Sequence, residues 1–199
     1  MQTIDVKAAL RKDAGKKTSR DIRRADAVPA VLYGEAKDAE GKITTTLLTV
    51  TNAALRNLVY TPNIYQINLD IDGKQVKAIL KDIQFHPVTD SILHVDFYQI
   101  VEGTPIIMEV PVSLNGLAEG VRAGGKLQLT LRKLKVKGFY TQIPDRLDVD
   151  VTTLGLGKTI KAGDLSYEGV ELLNAKEAVV CAVKLTRAAR GAAAAAATS

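Results

Sequence analysis

Sulfur, aromatic rings and long apolar runs are all scarce in this chain of 199 residues. Its one cysteine, Cys181, excludes an internal disulfide and is typical of proteins from a reducing compartment. With only two histidines, His86 and His94, a closed zinc site is not expected, and neither metal nor cofactor is predicted. No apolar run approaches the length of a membrane span, and no signal-peptide stretch follows Met1. We therefore expect a cytoplasmic protein with no membrane partner.

Positive charge is concentrated near the N-terminus. Residues 7–24 carry eight basic side chains against two acidic ones, whereas the remainder of the chain is close to neutral. Small residues, Gly15, Thr18 and Ser19, lie among these charges, and together they would let a phosphate backbone approach closely. A solvated loop is the alternative interpretation of such a run. A milder basic stretch, 122–137, contains no acid.

Short strands dominate the first half of the chain. Alternating polar and apolar residues predict a strand over 4–10, and apolar or β-branched runs predict strands over 28–34, 43–50 and 92–98. A hairpin is expected around Asp72-Gly73, and a turn at 37–42. The best helix candidate is 51–60, capped by Thr51 or Asn52. A short helical turn over 19–25 would have Ser19 as its cap.

The second half is also mostly β, with connections rich in glycine and proline. A short strand lies between Pro105 and Pro111, a long loop over 115–125, and further strands over 143–151 and 177–185. Leu134 and Val136 are out of phase with Leu127–Leu131, which predicts a bulge or bend near 132–133. We therefore predict a mainly β protein with two domains, 1–98 and 99–187, followed by a disordered Ala-rich tail, 188–199.

No arrangement of residues in the sequence supports an enzyme. Gly157-Lys158-Thr159 resembles the end of a phosphate-binding loop, but Thr152 stands where that motif needs glycine. Cys181 lies within an apolar strand and is expected to be a buried thiol. We therefore predict a non-enzymatic protein without a small-molecule substrate.

One polar pair on a predicted strand is more informative. Strict alternation over 92–98 places Leu93, Val95 and Phe97 on the core face, and His94 and Asp96 on the outer face. An outward His and Asp can form hydrogen bonds with sugar hydroxyls or base edges. An isolated pair of this kind is nevertheless more often plain surface, so it requires a wider context.

That context comes from a resemblance. Residues 11–23, 28–34, 81–88 and 94–97 are similar, in order and spacing, to the bacterial 5S rRNA-binding ribosomal protein of the general-stress (Ctc) family. Residues 111–127, 143–151 and 160–165 resemble the additional β-domain of that family's long, two-domain form. The resemblance covers nearly everything except the Ala-rich tail.

The resemblance implies a six-stranded N-terminal β-barrel that binds 5S rRNA in the central protuberance of the large ribosomal subunit. It also implies contacts with large-subunit RNA and neighbouring ribosomal proteins, on the ribosome in the cytoplasm. By motif position, the 5S rRNA contacts would be Arg11, Lys16, Ser19, Arg20 and Arg23 from the basic segment, with Tyr33, Gln84, His94 and Asp96 from the barrel surface.

The residues fit this implication, because the wide minor groove of duplex RNA offers hydroxyls and base edges to a sheet while basic side chains take the phosphates. Asp96 would be repelled by phosphates, so its expected partner is a base amino group or a hydroxyl. Two rival hypotheses remain: a β adaptor that binds an acidic protein partner through the basic segment, and a small hydrolase.

Overall fold

The computed structural model describes residues 2–34, 45–61, 63–101 and 103–186. The chain divides into two compact units between Ile106 and Ile107. The turn predicted at 37–42 lies outside the described residues, and so does the Ala-rich tail. That 1–98 and 99–187 are separate domains, the first of which folds alone, stays a prediction.

The first unit is a closed barrel of six strands, in the order β1-β3-β2-β6-β5-β4. Strand β1 pairs in parallel with β4, and β2 in parallel with β6, while the other neighbours are antiparallel. The elements of this unit are β1 (Gln2–Leu10), α1 (Lys16–Arg24), β2 (Ala27–Gly34), β3 (Thr46–Thr51), α2 (Asn52–Val59), β4 (Tyr65–Ile71), β5 (Lys74–Phe85) and β6 (Ile92–Gln99). The mainly β class and the six-stranded barrel are therefore confirmed.

Alternation along the strands builds the barrel core. In β1 the side chains of Val6 and Ala8 are buried, while Asp5 and Lys7 face solvent. The β4–β5 hairpin turns at Asp72 and Gly73, whose φ angles of 50° and 90° are the left-handed values that a tight two-residue turn needs. Helix α2 adds Leu55 and Leu58 to the same core. The sequence pattern therefore predicted this half of the core closely.

The predicted cap of α1 is wrong, whereas that of α2 is right in position but makes no capping hydrogen bond. Helix α1 begins at Lys16 after Gly15, so Ser19 lies inside the helix instead of at its start. Thr51 occupies the N-cap position of α2 but makes no capping hydrogen bond. The side chain of Asn52 instead donates to Asp26 Oδ1 at 3.2 Å.

Strand β6 departs from the predicted alternation at Leu93. Gln84 of β5 is opposite His94, but the next residue, Phe85, is opposite Ile92, so Leu93 is an extra residue in the ladder. Ile92, Val95 and Phe97 consequently belong to the buried core, whereas Leu93 is only half-buried. The prediction that Leu93 shares the core face with Val95 is wrong because of this bulge.

The second unit consists of two sheets, in the orders β10-β7-β9-β12 and β11-β13-β8. Its elements are β7 (Ile106–Asn115), α3 (Glu119–Arg122), β8 (Lys126–Leu129), β9 (Lys133–Gly138), β10 (Leu147–Asp150), β11 (Thr159–Lys161), a single 3₁₀ turn (Ala162–Asp164), β12 (Val170–Leu172) and β13 (Val179–Lys184). It is the second β-rich region that the sequence predicted.

Two details of the second unit differ from prediction: strand β7 continues through Pro111, and the predicted loop 115–125 contains α3. Of the two forms predicted for the change of phase near 132–133, the structure has the bend, at Arg132, and not the bulge. This bend separates β8 from β9, which belong to different sheets. Cys181 is fully buried in the core with Val149 and Val183, as predicted, and burial raises the pKa of its thiol. None of the described helices has the length and hydropathy to cross a membrane.

Candidate nucleic-acid interface

The centre of the candidate site is the His94–Asp96 pair on the outer face of β6. His94 Nδ1 lies 2.7 Å from Asp96 Oδ1, and both side chains are about three-quarters buried, with 23% and 29% of their surface exposed. The imidazole donates its Nδ1 proton to the carboxylate, which leaves Nε2 as the ring nitrogen available to another partner. The two residues therefore present one fixed polar unit to solvent.

Strand β5 supplies the next polar side chains. Gln84 lies opposite His94, and Asp82 lies opposite Asp96 in the antiparallel ladder. Both side chains are exposed. An amide and two carboxylates next to an imidazole can donate and accept hydrogen bonds, and the two carboxylates repel phosphate. This part of the surface is therefore suited to base edges and hydroxyls.

Two tyrosines lie next to the pair, one on β2 and one on β6. Tyr33 of β2 is opposite Tyr98 of β6, and their rings meet edge to face, with centroids 5.9 Å apart and planes at 82°. Burial, and then the negative charges of Asp96 and Asp82, raise the pKa of the Tyr33 hydroxyl. Tyr33 is therefore a neutral hydrogen-bond donor beside the His94–Asp96 pair. Lys81 Nζ lies 5.9 Å from the Tyr98 ring centroid.

Four of the predicted contacts thus share one surface: Tyr33, Gln84, His94 and Asp96 lie on the outer face of three adjacent strands. Sequence reasoning missed Asp82 and Tyr98. The signal was present, because Tyr98 continues the alternation of His94 and Asp96, and Asp82 alternates with Gln84. We call the set Tyr33, Asp82, Gln84, His94, Asp96 and Tyr98 the polar patch.

The five predicted contacts of the basic segment fall into two groups. Lys16 and Arg20 are exposed on α1, and their side chains form no hydrogen bond or ion pair with another described residue. The other three bind within the protein. Arg11 Nη1 donates to Ser19 Oγ at 3.4 Å, and the half-buried Arg11 has an Nε atom that is buried without a partner among the described residues.

Arg23 connects α1 to the strand that carries the polar patch. Its Nε and Nη2 donate to the carbonyl oxygen of Leu93 at 3.0 and 2.8 Å. Leu93 directly precedes His94, so the basic helix is attached one residue away from the His94–Asp96 pair. Positive groups for phosphates and neutral or acidic groups for bases therefore lie side by side.

Other candidate features do not join this surface. An open groove of about 520 Å³ is lined by Asp26, Asn52, Ala53, Arg56 and Tyr60, none of which was predicted as a contact. His86 is occupied elsewhere, because its Nδ1 accepts the backbone N–H groups of Val88 and Thr89. No group of three or more potential metal ligands occurs in the part of the chain that the structure describes.

A closed β-barrel with a basic helix attached beside an outward polar patch defines a class of protein, a β-barrel built to contact a polyanion. Comparison with known proteins then gives the family. The model of the Ribosomal L25p family matches residues 6–97, and that of the Ribosomal protein TL5, C-terminal domain, matches residues 105–187. The chain therefore belongs to the ribosomal L25p family, in a form that carries the second domain as well.

Similar proteins match along nearly the whole chain, and each of the following is named large ribosomal subunit protein bL25. The protein of Phocaeicola vulgatus is 68% identical over 194 residues, with 98% of both chains covered. That of Bacteroides thetaiotaomicron is 62% identical over 201 residues, covering 98% of this chain and 99% of the relative. That of Porphyromonas gingivalis is 55% identical over 194 residues, covering 97% and 98%. As a member of a ribosomal protein family, the chain is a structural protein and not an enzyme.

Proposed function

We propose that this chain is a structural protein of the large ribosomal subunit that binds 5S rRNA in the central protuberance. The grouping of Tyr33, Gln84, His94 and Asp96 on adjacent strands, directly beside the basic helix α1, carries the proposal. Family membership and relatives named as large-subunit proteins support it. Its place of action is then the ribosome in the cytoplasm.

Binding divides between two kinds of contact. Lys16 and Arg20 of α1 contact phosphates, because they are exposed and carry no ion-pair partner among the described residues. The polar patch binds hydroxyls and base edges, since Asp82 and Asp96 repel phosphates but accept hydrogen bonds from amino groups. An irregular RNA helix with an accessible minor groove suits a rigid sheet face of this kind.

The second unit contacts large-subunit RNA and neighbouring ribosomal proteins in this proposal. Strand β9 has Lys133 and Lys135 exposed, with Leu134 and Val136 buried between and after them. The outer face of the same sheet also carries acids, among them Glu171, which lies opposite Lys137. A mixed face of this kind favours contacts with both protein and RNA over a purely electrostatic site.

Two experiments test the function. In a gel-shift assay at moderate salt, the purified full chain should retard 5S rRNA and leave tRNA of similar size free. Contacts with the shape and the bases of 5S rRNA add to the affinity that phosphate contacts supply for any RNA. In cell extracts the chain should sediment with the large subunit on sucrose gradients. Equal binding to both RNAs would indicate an unspecific basic protein. Sedimentation away from the large subunit together with capture of an acidic protein would favour the adaptor instead.

A further inference from the structure

Helix α1 is held by few contacts: Thr18, Ser19 and Ile22 are half-buried, and Ser19 accepts a hydrogen bond from Arg11. None of its residues is fully buried, and its first turn has no side-chain cap. A free nine-residue helix would be marginal in water, because the few hydrogen bonds that it gains barely offset the ordering of its backbone. Specific tertiary contacts must therefore fix its position on the barrel.

Arg23 makes a long-range contact of this kind. It reaches 70 residues along the chain to the Leu93 carbonyl, with two guanidinium N–H groups on one oxygen. Leu93 is the bulge residue of β6 and has no Cα partner in either β2 or β5. Its carbonyl is consequently open to a side-chain donor, as expected of the unpaired residue of a bulge.

We propose that Arg23 is a positioning residue, which holds the basic helix in a fixed register with the His94–Asp96 pair, and not a phosphate ligand. The proposal deepens the proposed 5S rRNA site and rests on it. Nε and one Nη2 proton are committed to Leu93, one residue from His94. Without this bond α1 must be ordered again when RNA binds, which weakens binding while the phosphate contacts of the final complex remain the same.

Arg20 is the matched control, because it is an exposed arginine on the same helix whose side chain has no hydrogen-bond or ion-pair partner among the described residues. The affinity of the full chain for 5S rRNA is measured over a range of salt concentrations for the wild type, Arg23→Ala, Arg23→Lys and Arg20→Ala. Backbone amide hydrogen exchange of the free proteins reports the local stability of α1.

For Arg23→Ala we expect affinity to fall about tenfold, as for loss of a charge-assisted hydrogen bond. Its log–log salt slope should change by less than about half a unit, against about one unit for Arg20→Ala. The affinity of Arg23→Lys should be closer to that of Arg23→Ala than to that of the wild type, because lysine keeps the charge but not the paired N–H groups. In both Arg23 variants the α1 amides should exchange faster, whereas in Arg20→Ala they should not.

A full unit of slope lost in Arg23→Ala, or wild-type affinity in Arg23→Lys, would make Arg23 a phosphate contact and overturn the proposal. Unchanged α1 exchange in both Arg23 variants would also overturn it. If the wild type fails to bind 5S rRNA, the proposed function fails, and the exchange measurement still decides whether Arg23 holds the helix.

Discussion

Asp96 holds His94 by a hydrogen bond of 2.7 Å between Oδ1 and Nδ1, on the same outward face of β6. The carboxylate fixes which imidazole nitrogen carries the proton and which way the ring is turned. The two side chains therefore act as one recognition unit, and removing either one changes what the other presents.

We expect His94→Ala and Asp96→Ala each to weaken 5S rRNA binding by roughly 1–3 kcal/mol, since each leaves an RNA group without its hydrogen-bond partner. The salt slope should hardly change, because neither residue contacts a phosphate. Titrations at several salt concentrations measure both quantities. The double variant should lose less than the sum of the two single losses, because the residues are bonded to each other.

Asp5 provides a control for the effect of charge. It is an outward acid on β1 and accepts a hydrogen bond from Asn68 at 2.9 Å, on strands that do not adjoin β6. Asp5→Ala should leave RNA binding unchanged or slightly tighter, because the change removes a repulsion from phosphates and no proposed RNA contact. Tighter binding by Asp96→Ala as well, with folding unchanged, would remove Asp96 from the site.

Lys16→Ala and Arg20→Ala should weaken binding and flatten its salt dependence by about one unit of log–log slope each. Both residues are exposed on α1 and remain in helix when changed to alanine, which has the highest helix propensity. Lys74→Ala, an exposed lysine at the hairpin end of β5, serves as the control and should keep the wild-type slope. Unchanged slopes in both α1 variants would mean that the helix is only a solvated surface.

The sequence predicted the barrel strands well because their side chains follow a simple period. Val6 and Ala8 of β1, and the Asp72-Gly73 turn, obey local rules of alternation and turn chemistry that need no tertiary information. Outward placement of His94 and Asp96 followed from the same period. Local chemistry along the chain is therefore sufficient to predict these features.

Long-range pairing explains what the sequence did not reveal. The bulge at Leu93 is set by the register between β5 and β6, and a single inserted residue reverses the face of everything before it. The bond from Arg23 to Leu93 was not predicted, because it spans 70 residues and leaves no local pattern. The hydrogen bond from Asn52, one of the two predicted caps of α2, to Asp26 is likewise a contact between residues far apart in the sequence.

The barrel unit should fold and bind 5S rRNA without the second unit, because both parts of the proposed site lie within it. We expect the fragment 1–106 to bind with nearly the affinity of the full chain. The fragment 1–98 should also fold but melt at a lower temperature, since it lacks Gln99, which pairs with Gly34 and Ala78, and the buried Ile100. Circular dichroism melts and RNA titration test both fragments. Binding by the full chain alone would make the second unit part of the site.

Cys181 should make the stability of the second unit sensitive to alkaline pH. Burial raises the pKa of its thiol above the ordinary value of 9.0, so the folded state keeps the proton in a range where the unfolded chain loses it. Its contribution to stability is therefore complete below about pH 9 and declines as the pH rises beyond that. Urea unfolding at pH 7 and pH 10 should show a smaller difference between the wild type and Cys181→Ala at the higher pH. A constant difference would contradict the expectation.

Gly120 of the second unit has no room for a side chain. A Cβ at this position would lie 2.7 Å from both Gly155 C and Leu156 N, which are backbone atoms that cannot swing aside. We therefore expect Gly120→Ala to destabilise the second unit by about 2 kcal/mol, as for overpacking of a tight core. Gly155→Ala is the matched control, because its Cβ would meet only Lys158 Cγ, at 3.7 Å, and should change stability by less than about 0.5 kcal/mol. Hydrogen exchange of the amides in the second unit measures the stability of this unit in both variants. Equal protection in the two would show that the close approach at Gly120 does not constrain the fold.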